Sequence, residues 1–224
     1  MASLVYSMDA ESRLLRELER SMEAVPEDGY KYDPRPATEA MANWIRAQDP
    51  SRRRAIVHAL RRWLPERDSW HADAALDLAV ELRSVDLIDA AVEEARRPQS
   101  LEAIVEERYL YVLPLIGALS RLPTPLGVAW LRELKAGAST AMDSRVREVT
   151  ARASIALCFM AEASTLNTCV TEALSLIRSW GDPQVARSAL ALIGVLAHER
   201  GAIDQLAPLL TEDEARVAFS VWRS

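Results

Sequence analysis

The sequence predicts an all-α chain built from repeated helix pairs, and three observations carry that prediction. First, residues 182–196 (DPQVARSALALIGVL) read as a capped amphipathic helix. Asp182 can accept from the free N–H groups of the first turn, Pro183 sits where a missing N–H is harmless, and Val185, Ala189, Leu192, Ile193 and Leu196 recur at helical spacing. Second, the same grammar returns at 143–157 (DSRVREVTARASIAL) and more loosely at 49–64 (DPSRRRAIVHALRRWL). Third, only seven Gly and two Phe accompany many Ala, Leu and Arg, residues that lose little freedom in a helix. Essentially no sheet is expected.

Taken in order, residues 9–24 predict a first helix with Leu14, Leu15, Leu18 and Met22 on one face, serving as an N-terminal cap. Residues 25–36 (VPEDGYKYDPRP) gather Pro, Gly and Asp and predict a loop carrying Tyr30 and Tyr32. From 37 to 210 the chain resolves into five helix pairs: 37–48 with 50–64, 69–82 with 85–96, 100–121 with 125–136, 143–160 with 165–179, and 183–199 with 202–210. Pro114 inside the third pair's first helix predicts a kink there, or a split at Leu113. Thr124-Pro125 reads as a cap followed by proline, Gly181 and Gly201 as helix ends, and Thr211 with Glu214 as a capping box. Residues 211–224 predict a C-terminal capping helix over 212–223, with Ala215, Ala218, Phe219 and Trp222 on one side. Terminal units of a repeat stack need such caps, because an end unit must present a polar outer face.

At 224 residues and 24.9 kDa the chain is ample for a sizeable core, as one extended domain or two small ones. Apolar runs such as 112–119 fall far short of the ~20 residues a bilayer span needs, and the N-terminus lacks the charge and apolar run of a signal peptide. A cytoplasmic protein without a membrane partner is the expectation. Net charge is −6 with pI near 5.3, which argues against generic nucleic-acid binding. Lys31 and Lys135 are the only lysines, an Arg bias as consistent with a GC-rich bacterial genome as with a need for bidentate contacts. Cys158 and Cys169 fall on separate predicted helices, match no metal or redox spacing, and read as buried thiols.

Asp182-Pro183-Gln184-Val185 with Arg187, Ala189 and Ile193-Gly194, together with Asp143 to Arg147, resembles the HEAT repeat pattern of Asp-Pro-x-Val-Arg followed by spaced alanines and leucines. The resemblance is good over about 143–210 and weak before it. It implies antiparallel helix pairs stacked into a right-handed α-solenoid, with second helices lining a concave face. The pattern reports packing and carries no chemistry of its own.

That implied concave face holds the candidate partner-binding residues. On the second helix of the first pair, Arg54, His58, Arg61 and Arg62 form a basic stripe. On the second helix of the next pair, Asp86, Asp89 and Glu93 form an acidic one. Facing stripes of exposed ions contribute only about 0–1 kcal/mol per pair; as a docking surface they would select a protein carrying both signs of charge. Trp63 and Trp70 beside Arg61, Arg62 and Arg67 form an aromatic and basic patch that could stack a base, as in HEAT-like DNA glycosylases. Against DNA stands the stretch 68–107, with 11 acidic and 3 basic side chains. His58, His71 and His198 form no metal motif, and His198 suits a helix C-terminus. There is no Gly-rich phosphate loop, GxSxG or Cys/His nucleophile. The expected function is a non-catalytic protein-binding scaffold without a cofactor, such as a bacterial immunity protein neutralising a toxin or an adaptor, with a DNA-lesion enzyme as the alternative.

Overall fold

The computed structural model describes residues 2–21, 35–65, 70–97, 100–137 and 143–220. Residues 25–34 of the predicted loop, with Tyr30 and Tyr32, and the side chains Met22, Arg67 and Trp222 lie outside these residues, whereas Arg35 and Pro36, predicted as loop, open a helix, proline being tolerated in a first turn. Among the described residues there are twelve α-helices, one short 3₁₀ turn and no strand, so the all-α prediction holds. In chain order they are α1 Ala2–Arg20, α2 Arg35–Arg46, α3 Pro50–Leu60, α4 Trp70–Glu81, α5 Val85–Ala95, α6 Leu101–Arg121, α7 Pro125–Ala136, α8 Ser144–Phe159, α9 Leu166–Trp180, α10 Pro183–Glu199, α11 Ile203–Leu206 and α12 Glu212–Ala218.

The predicted caps form. Asp49, Asp143 and Asp182 each accept from backbone N–H groups of the helix they precede, and Thr124 accepts from Gly127. Gly181 and Gly201 take positive φ of 60° and 59°, where a side chain would be strained. Four details differ from the sequence reading. The first helix starts at Ala2, not residue 9, since nothing in 2–8 breaks a helix. The kink in α6 lies at Arg108 (φ −139°, ψ 18°) and not at Pro114, which keeps helical backbone, as a ring-fixed φ of about −65° allows. The second helix of the fifth pair is only four residues long. It passes into the 3₁₀ turn Ala207–Leu209 because Pro208 supplies no N–H to continue it. The last helix ends at Ala218.

The chain divides into two compact units, 1–95 and 96–224. In the first, α1 packs on α2 and α3, α2 on α4, α3 on α5 and α4 on α5. Leu18, Met41, Ile45, Ile56, Leu60, Leu78 and Ile88 are fully buried there. In the second, α8 is the central element and touches α6, α7, α9 and α10, while α10 carries α12 on its far side. Its core includes Leu115, Trp130, Leu131, Val149, Ile193, Leu196 and Leu206.

Polar clamps tie the second unit's helices together. Glu148 on α8 accepts from the Tyr109 hydroxyl of α6, from Ser188 of α10 at 3.0 Å and from Arg152 at 3.1 Å. Arg178 on α9 forks over Glu214 on α12 (Nε–Oε1 2.8 Å, Nη2–Oε2 2.6 Å) and also donates to the Leu209 carbonyl at 3.1 Å. Glu214 closes the capping box with Thr211 as well. The Arg178 hydrogen bonds, helped by the Thr211 contacts, hold the Glu214 carboxyl at about 2 against an ordinary 4.5. A carboxylate depressed in the fold stabilises it above the unfolded pKa and loses that contribution as pH falls through the folded one. Melting temperature should therefore fall more steeply between pH 4.5 and about 2 in the wild type than in Glu214→Gln. Parallel slopes in scanning calorimetry would refute it.

Candidate binding groove

Helix α3 is amphipathic for a simple reason: Ile56, Ala59 and Leu60 are buried, which turns 53, 54, 57, 58 and 61 toward the opposite side. Arg53, Arg54, Val57, His58 and Arg61 form one wall of an open groove of about 810 Å³. The other wall is the α4–α5 turn, with Glu81, Leu82, Arg83, Ser84 and Asp86, and Arg46 closes the end near Pro50. All of it belongs to the first unit.

Among the described residues lining this space are five guanidinium groups and two carboxylates. Arg46 is engaged: it donates to the Glu81 carbonyl at 2.9 Å, the Glu81 carboxylate at 3.2 Å and Asn43 at 3.0 Å, pinning the end of α2 to the end of α4. Arg61 reaches the Asp86 carbonyl at 3.5 Å and Arg53 the Gln48 carbonyl at 3.4 Å, both long for hydrogen bonds. The guanidinium groups of Arg54 and Arg83 bond to none of the described residues. His58 stands largely exposed, with a Glu11 carboxylate oxygen 3.7 Å away.

Arg83 occupies an unusual backbone position. Helix α4 ends in a Schellman turn, with Ser84 N–H donating to the Ala79 carbonyl at 2.8 Å and Arg83 N–H to the Val80 carbonyl at 3.1 Å. The residue at this corner is left-handed (φ 51°), a place that favours glycine. Here an arginine holds it and projects its charge into the groove.

Of the residues singled out in the sequence, Arg54, His58, Arg61 and Asp86 come together in the groove. Arg62 turns toward α1, donating to Ser12 at 2.8 Å with a Glu11 oxygen 4.0 Å away. Trp63 is buried and Trp70 is 47% exposed. Their rings lie 5.8 Å apart, with the tilted His71 ring 4.7 and 4.5 Å from them, and His71 Nε2 lies 3.0 Å from Glu19 on α1. Asp89 is half-buried and Glu93 exposed on α5, and neither lines the groove. Arg46, Arg53, Glu81 and Arg83 are the additions the sequence reading lacks. Arg53 carried a signal, since 53, 57 and 61 share a helix face; Arg46 and Arg83 reach the groove from helix ends, which periodicity does not report.

No helix of the described residues is long and apolar enough to cross a membrane, and no group of three or more His, Cys, Asp or Glu among them could hold a metal ion. No family model, curated protein or solved structure matches the chain.

Proposed function

We propose that the chain is a non-catalytic protein-binding module, a HEAT-like right-handed α-solenoid, and that the arginine groove of its first unit docks an acidic segment of another protein. The observation that carries this reading is the surplus of under-used cations, Arg53, Arg54, Arg61 and Arg83, in one groove of a chain whose net charge is −6. An acidic segment would relieve their mutual repulsion and form charge-assisted hydrogen bonds. Supporting the solenoid is the packing of successive first helices on one another, α2 on α4, and α6 on α8 on α10.

Glu81 and Asp86 favour a protein over DNA. They would repel a continuous phosphate rail, yet can take a Lys or Arg of a protein segment. An inhibitor covering an acidic patch of a toxin and an adaptor gripping an acidic tail both use this chemistry, and the partner's identity separates them.

The test compares wild type with the doubly reversed Arg54→Glu, Arg61→Glu chain in affinity capture from the native host, then in titration with the captured protein. Both substitutions are exposed, so circular dichroism should be unchanged. The expected result is a partner whose acidic segment binds wild type at least about 100-fold more tightly than the variant. Equal capture by both chains refutes the groove as the docking surface. Binding of duplex DNA at about 0.15 M salt that the reversals abolish would replace this reading with the DNA-lesion one.

A further inference from the structure

Cys158 and Cys169 are the only cysteines of the chain, one in the last turn of α8 and the other in the first turn of α9. Folding brings their sulfurs to 3.0 Å, with the Cys158 thiol donating to Cys169 and lying 3.3 Å from the Ser154 carbonyl. Cys158 is buried and Cys169 half-buried. Cys169 lines an open pocket of about 520 Å³ whose other walls include Arg132 and Lys135 of α7 and Met160. Lys135 is itself held by Glu172 at 3.2 Å. One thiol is thus reachable from solvent beside two cations, and its partner waits behind it without solvent access.

The geometry points to a redox modification site: Cys169 is the thiol that a peroxide oxidises, and Cys158 resolves the product into an intrachain disulfide joining α8 to α9. In the first step the Cys169 thiolate attacks one peroxide oxygen, the O–O bond breaks, and the departing hydroxide takes a proton to leave as water. In the second, the Cys158 sulfur attacks the sulfenic sulfur of Cys169, the S–O bond breaks, and the hydroxyl leaves with the Cys158 proton as a second water. Two thiols lose two electrons, and hydrogen peroxide accepts them.

The site's chemistry agrees with this division of labour. The hydrogen bond from Cys158 lowers the Cys169 thiol to about 7, with Lys135 assisting against burial, whereas the same hydrogen bond and burial push Cys158 far up. Exposure next to positive charge is the environment of reactive thiols, and complete burial that of inert ones. A metal is the competing use of two thiols. Thiolates about 2.3 Å from a tetrahedral zinc stand roughly 3.8 Å apart, wider than these, and no third ligand joins them among the described residues.

The experiment treats the reduced full chain with hydrogen peroxide and follows intact mass and free thiols. Wild type should lose both thiols together and about 2 Da as a monomer, with a rate that is half-maximal near pH 7, where an ordinary thiol needs about 8.5. Cys158→Ser should stop at a sulfenic acid on residue 169, trapped by dimedone, and Cys169→Ser should leave Cys158 unmodified under the same exposure. A wild-type rate and pH profile matching glutathione, a disulfide formed only between two chains, or first modification at Cys158 would each overturn the assignment. The wild-type measurements decide the matter even if a serine variant folds poorly.

Discussion

Gly194→Ala is expected to destabilise the second unit by about 2–3 kcal/mol and to lower its melting temperature by roughly 5–10 °C. A Cβ at 194 would lie 1.9 Å from the Ala218 carbonyl oxygen and 2.8 Å from its carbon, so one methyl group is driven into the backbone of α12. Backbone cannot rotate away as a side chain can. The capping helix must then lift from α10, and Ala218, itself buried, opens to water. Gly127→Ala provides the internal contrast. There the nearest atom, at 2.1 Å, is Leu119 Cδ2, the tip of a side chain, and Leu119→Ala should relieve the clash. Ala218→Gly should give no such rescue to Gly194→Ala, because the obstructing atom is main chain. Thermal melts of the two alanine variants and the two double variants check this; rescue by Ala218→Gly would show that the close approach of α10 and α12 is not backbone-limited.

Gly194 also shows which parts of this fold the sequence discloses. It stands within the Ile193-Gly194 step of the repeat-like pattern, and its presence in an apolar stripe is legible as a packing signal. Helix positions, aspartate caps, the Gly181 and Gly201 ends and the Thr211 capping box are equally legible, since each depends on neighbours within four residues. The misplaced features depend on strain relief or on distance. Pro114 announces a kink, yet the non-helical residue is Arg108, where no proline or glycine in the local sequence marks a break. The site follows the same divide. Arg54, His58 and Arg61 share a face by periodicity alone, whereas Arg46, Glu81 and Arg83 join them only because α2, α3 and the α4–α5 turn converge. Likewise, Cys158 and Cys169 are 11 residues apart and match no short motif, yet the turn between α8 and α9 brings their sulfurs to 3.0 Å.

Arg83→Gly is expected to make the first unit more stable and its groove a poorer binder. Left-handed backbone costs a side-chain-bearing residue about 1–2 kcal/mol, and glycine escapes that strain while adding about 0.5–1 kcal/mol of unfolded-chain entropy. The net gain of about 0.5–1 kcal/mol corresponds to a rise of roughly 3–5 °C in melting temperature. The Schellman hydrogen bonds at Ser84 and Arg83 involve only main chain and survive the change. Affinity for the acidic segment should meanwhile fall about tenfold, the loss of one charge-assisted contact. The opposite signs make the test informative. If stability and binding both fall, the arginine holds the turn together and its charge is incidental; if stability rises while binding is unchanged, the docked segment does not reach the α4–α5 wall. A stabler, weaker-binding variant would mean that the strain at φ 51° persists because the charge it positions is used.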